Sequence, residues 1–190
     1  MSEHSIDSVV AIKELQAELA LKYNLDYQQR SFWINGEIND KMLKHVEGCL
    51  SLLEADSHKA ITIRINSSGG EAYAALAIVS RIRASKCSVR TEGHGHIMSA
   101  ATLILACGYK RTISKLASFM YHEASYWVGG RHSEAKAWVE QFEREEKNWA
   151  EAMASFTSKD SDYWLELGRH TDKFFTPTEL VELGVVDKVF

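Results

Sequence analysis

The chain predicts an α/β fold, and three stretches carry that prediction. "KAITIRINSSGG" alternates apolar and polar residues up to Asn66 and breaks at a double glycine, and "EAYAALAIVSRIRAS" returns at once to helical periodicity. "CSVRTEG" followed by "SAATLILACG" repeats the strand-then-helix order. Successive β-α units of this kind build a sheet covered by helices.

In chain order, the segment from Ile6 to Tyr23 contains "VVAIKELQAELALKY", apolar residues at helical spacing among strong helix formers. It predicts an amphipathic helix that lies on the body or reaches a neighbour. "RSFWING" predicts a strand closed at Gly36. "NDKMLKHVEGCLSLLEA" predicts a helix capped by Asn39 or Asp40, with Met42, Val46, Leu50 and Leu53 on one face. After the β-α units, Gly108 stands where a helix-ending C′ glycine is expected. "KRTIS" and "ASFMYH" predict short strands, and Ser133 to Phe156 one long helix whose buried stripe would be Ala135, Trp138, Phe142, Trp149 and Met153. "TPTELVELG" combines Thr176 as N-cap, Pro177 in the first turn and Glu179 three residues past the cap, and Gly184 stops it before a last strand, "VVDKVF". No repeat or low-complexity linker interrupts the chain. It reads as an N-terminal appendage over 1–24 and one domain over 25–190.

With 190 residues, 45% of them hydrophobic, the chain is long enough to bury a sizeable core. A net charge of −4 provides no electrostatic reason to approach nucleic acid or anionic lipid. Cys49, Cys87 and Cys107 lie far apart with no Cys-x-x-Cys pair, which predicts reduced core residues. No basic start followed by an apolar run opens the sequence, and the longest apolar stretch, Ala100 to Cys107, is too short for a bilayer. The expectation is a cytoplasmic protein with no membrane segment, metal or cofactor.

"GHGHIMSAATLIL" holds the residues with the most chemistry. Ser99 opens a helix after a strand, where unsatisfied N–H groups favour developing negative charge, and a capping serine fits the same place. His94 and His96 form a His-x-His pair that a strand can present to zinc, although a catalytic zinc needs three protein ligands. Gly93-x-Gly95 lacks the third glycine of a dinucleotide loop, since that position is Met98. The Gly69-Gly70 pair allows close approach of a substrate backbone and equally makes a tight turn. His122 ends a predicted strand, where a side chain can face a cleft.

Four stretches in order, "INSSGG", "GHGHIMSAA", "FMYHEAS" and "TDKFFTPTELVELGVVDKVF", resemble the motifs of the Clp protease proteolytic subunit family, ClpP. The resemblance covers roughly Leu25 to Phe190. It implies the ClpP/crotonase fold, a superhelix of repeated β-α units with one long protruding helix, and a serine endopeptidase that needs no cofactor. Residue by residue it places the nucleophile at Ser99, the general base at His122 and the orienting aspartate at Asp172. It places the oxyanion-hole N–H groups at Gly70 and Ala100. Gly69, Gly129 and Gly130 fall in substrate-binding segments. Polypeptide substrates and a homo-oligomer of stacked rings follow, with the long helix at the ring-to-ring contact.

The chain also departs from the family pattern. Ser68 stands for the proline before the double glycine, Ile97 and Met98 for two small residues, and Glu123-Ala124 for Gln-Pro, while Trp127 adds a bulky ring. Positions whose aromatic residues help dock an AAA+ unfoldase in the family read Thr62, Arg64 and Ala84 here, which argues against docking of a family-type unfoldase. Three rivals use the same residues differently: a crotonase-type acyl-CoA enzyme, a Ser-Lys peptidase that would leave His122 and Asp172 idle, and a catalytically silent ring subunit.

Overall fold

The computed structural model describes residues 3–169 and 171–190, with side chains described from residue 12 onward. The elements run α1 (Glu3–Tyr23), β1 (Leu25–Asp26), β2 (Ser31–Asn35), α2 (Asp40–Asp56), β3 (Ile61–Ser67), α3 (Ala72–Arg83), β4 (Val89–Met98) and α4 (Ala100–Ala106). Then follow β5 (Lys110–Ile113), β6 (Ser118–Tyr121), α5 (His132–Phe156), α6 (Ser161–Gly168), β7 (Lys173–Phe175), α7 (Pro177–Glu182) and β8 (Lys188–Val189). The expected α/β fold of repeated β-α units is what forms.

The sheet runs β1-β2-β3-β4-β5-β8 and is parallel from β2 through β8. Along β3, Ile61, Ile63 and Ile65 are fully buried while Thr62 and Arg64 are half-exposed. Parallel sheets covered on both faces read as continuous apolar runs, so this alternation marks a sheet with one covered face. The covered face packs on Val46, Leu50 and Leu53 of α2, on Ala75 and Ile78 of α3, and on α4, all seven of whose residues are buried. Complete burial explains why α4 reads as an apolar run without helical periodicity. On the open face Arg64 pairs with Glu92 across the ladder at 3.2 Å.

Asn39, rather than Asp40, caps α2, accepting from the Lys41 and Met42 N–H groups at 3.1 Å. The buried Arg30 guanidinium closes the other end, donating to the Leu53, Ser57 and Lys59 carbonyls and to Asp56 at 2.8 Å. That places a cation at the negative end of the helix dipole. The Thr176–Glu179 capping box of α7 forms as expected.

Gly108 follows the C-cap Cys107, the expected C′ position, without the left-handed conformation usual there. It is needed because a Cβ there would sit 2.3 Å from Thr91 Oγ1. In α5 only the C-terminal part of the expected stripe is internal: Met153 is buried, Phe142 and Trp149 half-buried, and Trp138 is 51% exposed. The helix outruns the body, so its N-terminal turns have no core to face. In α1 the described side chains are mostly exposed, including Ile12, Leu15 and Leu21, and Gln16 accepts a hydrogen bond from Gln28 at 3.0 Å. The apolar positions expected from Ile6 to Ala11 lie outside the described side chains.

Candidate active site

The strand β4 bends to build the site. Its first half pairs with β5 and its second, His96 to Met98, with β6, and its register against β3 shifts between Ile65 and Ser67. At the bend, Gly95 has φ 56° and the Asn66 side chain fills the gap, its Oδ1 accepting from the His96 N–H at 3.0 Å. A Cβ on Gly95 would fall 2.4 Å from that oxygen, so the second glycine of "GHGH" is a packing requirement.

The bend delivers Ser99 to the junction of β4 and α4 with φ 52° and ψ −123°, a strained conformation for a residue with a side chain. Four neighbours hold it there. The Ser99 N–H donates to the Met120 carbonyl at 2.9 Å, and the Ser99 carbonyl accepts from the Thr102 N–H and hydroxyl at 3.0 and 2.6 Å. Gly69 packs so closely behind that a Cβ there would lie 2.6 Å from Ser99 Cβ. The Ser99 hydroxyl makes no capping bond, and lies instead 2.8 Å from His122 Nε2. A sharp strand-to-helix turn that exposes a serine hydroxyl is the local geometry of a nucleophile elbow, and the capping reading loses its hydrogen bond.

The ladder between β6 and β7 brings in the third residue. Tyr121 pairs with Lys173 in antiparallel register, so the next residues outward, His122 and Asp172, come to face each other. His122 Nδ1 lies 3.5 Å from Asp172 Oδ1, and the aspartate side chain is 56% exposed. Beneath them, Gly168 at the end of α6 accepts from the Glu123 N–H at 3.0 Å and packs against Tyr121.

Gly69 and Gly70 have φ 100° and 146°. An isolated parallel bridge joins Gly70 to Ile38, using the Ile38 N–H to the Gly69 carbonyl and the Glu71 N–H to the Ile38 carbonyl, both at 2.8 Å. The Gly70 N–H takes no part in that bridge, and the Ala100 N–H, first of α4, has no intrahelical acceptor. Gly70, Ser99, Ala100 and His122 line one cavity of about 640 Å³. Gly129 and Gly130 lie outside its lining, at the end of the segment 122–129, which joins no ladder among the described residues.

The remaining candidates sit elsewhere. His94 is half-buried, its ring packed between Trp33 and Phe190 at 4.9 and 5.3 Å between centroids. Burial pushes its imidazolium pKa down, against the pull of Glu92. His96 is exposed beyond the bend. Among the described residues no group of three His, Cys, Asp or Glu side chains stands close enough to hold a metal. Cys49, Cys87 and Cys107 are free and buried, and burial pushes the Cys49 and Cys107 thiols up to about 12, which removes them as nucleophiles. No helix among the described residues is long and apolar enough to cross a membrane.

Sequence reasoning missed α6 and β7, which support the imidazole and position the aspartate. Asp160, which caps α6 by accepting from the Tyr163 N–H at 2.8 Å, is the signal that could have revealed the helix. β7 is too short to show a pattern.

Comparison with known proteins gives the family. The Clp protease family model matches residues 16–190. The chain is 30% identical over 172 residues to the ATP-dependent Clp protease proteolytic subunit 1 of Corynebacterium jeikeium (strain K411), covering 85% of this chain and 87% of that one. It is 29% identical over 165 residues to the ATP-dependent Clp protease proteolytic subunit 2 of Thermobifida fusca (strain YX), covering 85% and 81%. A fold of β-α units, a serine on a strained turn beside a histidine, and a family match over most of its length together establish that the chain belongs to the Clp protease family.

Proposed function

We propose that the protein is a serine endopeptidase of a Clp-type proteolytic core. The observation that carries this reading is the Ser99 hydroxyl, held out of its capping role on a strained turn and aimed at His122 Nε2. Ser99 Oγ attacks the scissile carbonyl carbon while Nε2 takes its proton, and the tetrahedral oxyanion is met by the Gly70 and Ala100 N–H groups. The C–N bond then breaks, the proton on His122 passes to the leaving amine, and the acyl-enzyme is hydrolysed by a water that His122 deprotonates in turn. Asp172 holds the Nδ1 side of the ring and favours the imidazolium that forms in each half-reaction.

The subunit acts on polypeptides within a homo-oligomer of stacked rings in the cytoplasm, with 25–190 as the catalytic domain and 1–24 as an appendage. The exposed Trp138 and Val139 on the protruding part of α5 suit a subunit contact. For an AAA+ unfoldase, Thr62 and Arg64 offer no aromatic surface, and the Trp33–His94–Phe190 cluster is an apolar feature near them. An acyl-CoA enzyme or a silent scaffold would leave the Ser99–His122 contact without a role. The test is cleavage of a fluorogenic peptide by the purified chain and its His122→Ala variant. Turnover that vanishes in the variant supports the reading, and equal turnover overturns it.

A further inference from the structure

The cavity beside Ser99 has unevenly distributed chemistry. Its walls include Leu76, Phe142, Trp149 and Trp164, and its charged lining residues are four carboxylates, Glu71, Glu123, Glu145 and Glu146, against one guanidinium, Arg169. Two of these groups already have partners: Glu145 accepts from Gln141 Nε2 at 2.7 Å and from the Tyr73 hydroxyl, and Arg169 donates to Glu166 at 3.1 Å. Glu146 differs. It projects from the same face of α5 as Phe142 and Trp149, four residues after one and three before the other, which sets a carboxylate between two apolar walls.

Glu146 is half-buried and has no hydrogen-bond or ion-pair partner among the described residues. Burial pushes its pKa above the ordinary carboxylate range, and the neighbouring Glu123 charge adds to this, with Arg169 opposing. A desolvated carboxylate without a partner is unfavourable, and an entering cation would relieve it.

Resting on the hydrolase reading, we infer that this cavity receives the substrate side chain on the acyl side of the scissile bond and selects lysine or arginine there. The methylene stem lies along the aromatic walls and the cationic tip meets Glu146. A purely apolar side chain would fill the same volume but leave the half-buried Glu146 without a partner. An acidic one would meet like charge from Glu123 and Glu146.

The test uses the full chain and fluorogenic peptides identical except at that residue: lysine, arginine, methionine, leucine or glutamate. The expected kcat/KM for lysine and arginine exceeds that for methionine, a neutral side chain of similar length, by about tenfold or more. In Glu146→Gln the lysine-to-methionine ratio falls toward one, and in Glu146→Lys it inverts in favour of glutamate. Methionine or leucine cleaved as well as lysine by the unaltered chain overturns the inference, as does a ratio unchanged in Glu146→Gln. Fluorophosphonate labelling of Ser99 on the same samples separates the two levels. Labelling with a flat side-chain profile overturns the selectivity alone, and no labelling with no cleavage overturns the hydrolase reading and the selectivity with it. If Glu146→Gln fails to fold, the ratio in the unaltered chain decides.

Discussion

Ser99 Oγ and His122 Nε2 lie 2.8 Å apart although 23 positions separate them in the chain. The parallel ladder of β4 with β6 explains the distance: Met98 pairs with Met120, and the Ser99 N–H continues the ladder to the Met120 carbonyl. Ser99 and His122 thus leave adjacent strand ends.

Asp172→Asn keeps the shape of the side chain and removes its charge. The loss of imidazolium stabilisation should lower kcat by about 10²–10⁴-fold with the fold intact. Steady-state kinetics beside a urea melt checks this, and an unchanged kcat would remove Asp172 from the mechanism.

Gly70→Ala drives a Cβ to 2.2 Å from the Ile38 carbonyl oxygen, at a φ of 146° that disfavours any side chain. The expected cost is about 2 kcal/mol or more, with loss of activity. Gly48→Ala is the control: it lies inside α2 with nothing within 4 Å of the new methyl, so it should stabilise by about 0.5–1 kcal/mol. Urea midpoints of the two variants should move in opposite directions.

Glu54 accepts from Arg81 at 2.7 and 3.1 Å and from the Ser85 hydroxyl, and the Arg81 hydrogen bonds hold its carboxyl below the ordinary value of 4.5 despite its burial. A carboxyl depressed in the folded state contributes stability above its unfolded pKa and loses it as pH falls through the folded one. Glu54→Gln should therefore destabilise by about 1–3 kcal/mol at neutral pH, and the gap should narrow on acidification below about 4.5. Urea melts across the acid range would show the two curves converging.

Trp164 is fully buried, donates from its indole N–H to Thr157 Oγ1 at 2.8 Å and forms part of the cavity wall beside Tyr121. Trp164→Ala should cost about 3–5 kcal/mol. Thermal unfolding followed by circular dichroism measures it.

The β-α units could be read from the sequence because β3 alternates cleanly and the strands end at glycines. Ser99 alone was ambiguous, since capping and nucleophilic serines share the strand-to-helix position. Only the ordered motifs singled it out, and the φ of 52°, the missing capping bond and the 2.8 Å approach to His122 Nε2 are features that no local sequence pattern displays. Asp172 was anonymous because its partner is set by the β6–β7 register, and β7 is three residues with no alternation. Glu146 lies outside the apolar stripe that the sequence predicts for α5. Its partial burial comes from the cavity it lines together with Tyr121 and Tyr126, a tertiary feature that periodicity within α5 does not encode.

The most direct measurement is labelling of the purified chain with a fluorophosphonate probe, followed by peptide mapping. A single adduct on Ser99 is expected, with labelling and peptide cleavage both abolished in Ser99→Ala. Cleavage that survives in Ser99→Ala, or an adduct on another residue, would contradict the assignment of Ser99 as the nucleophile.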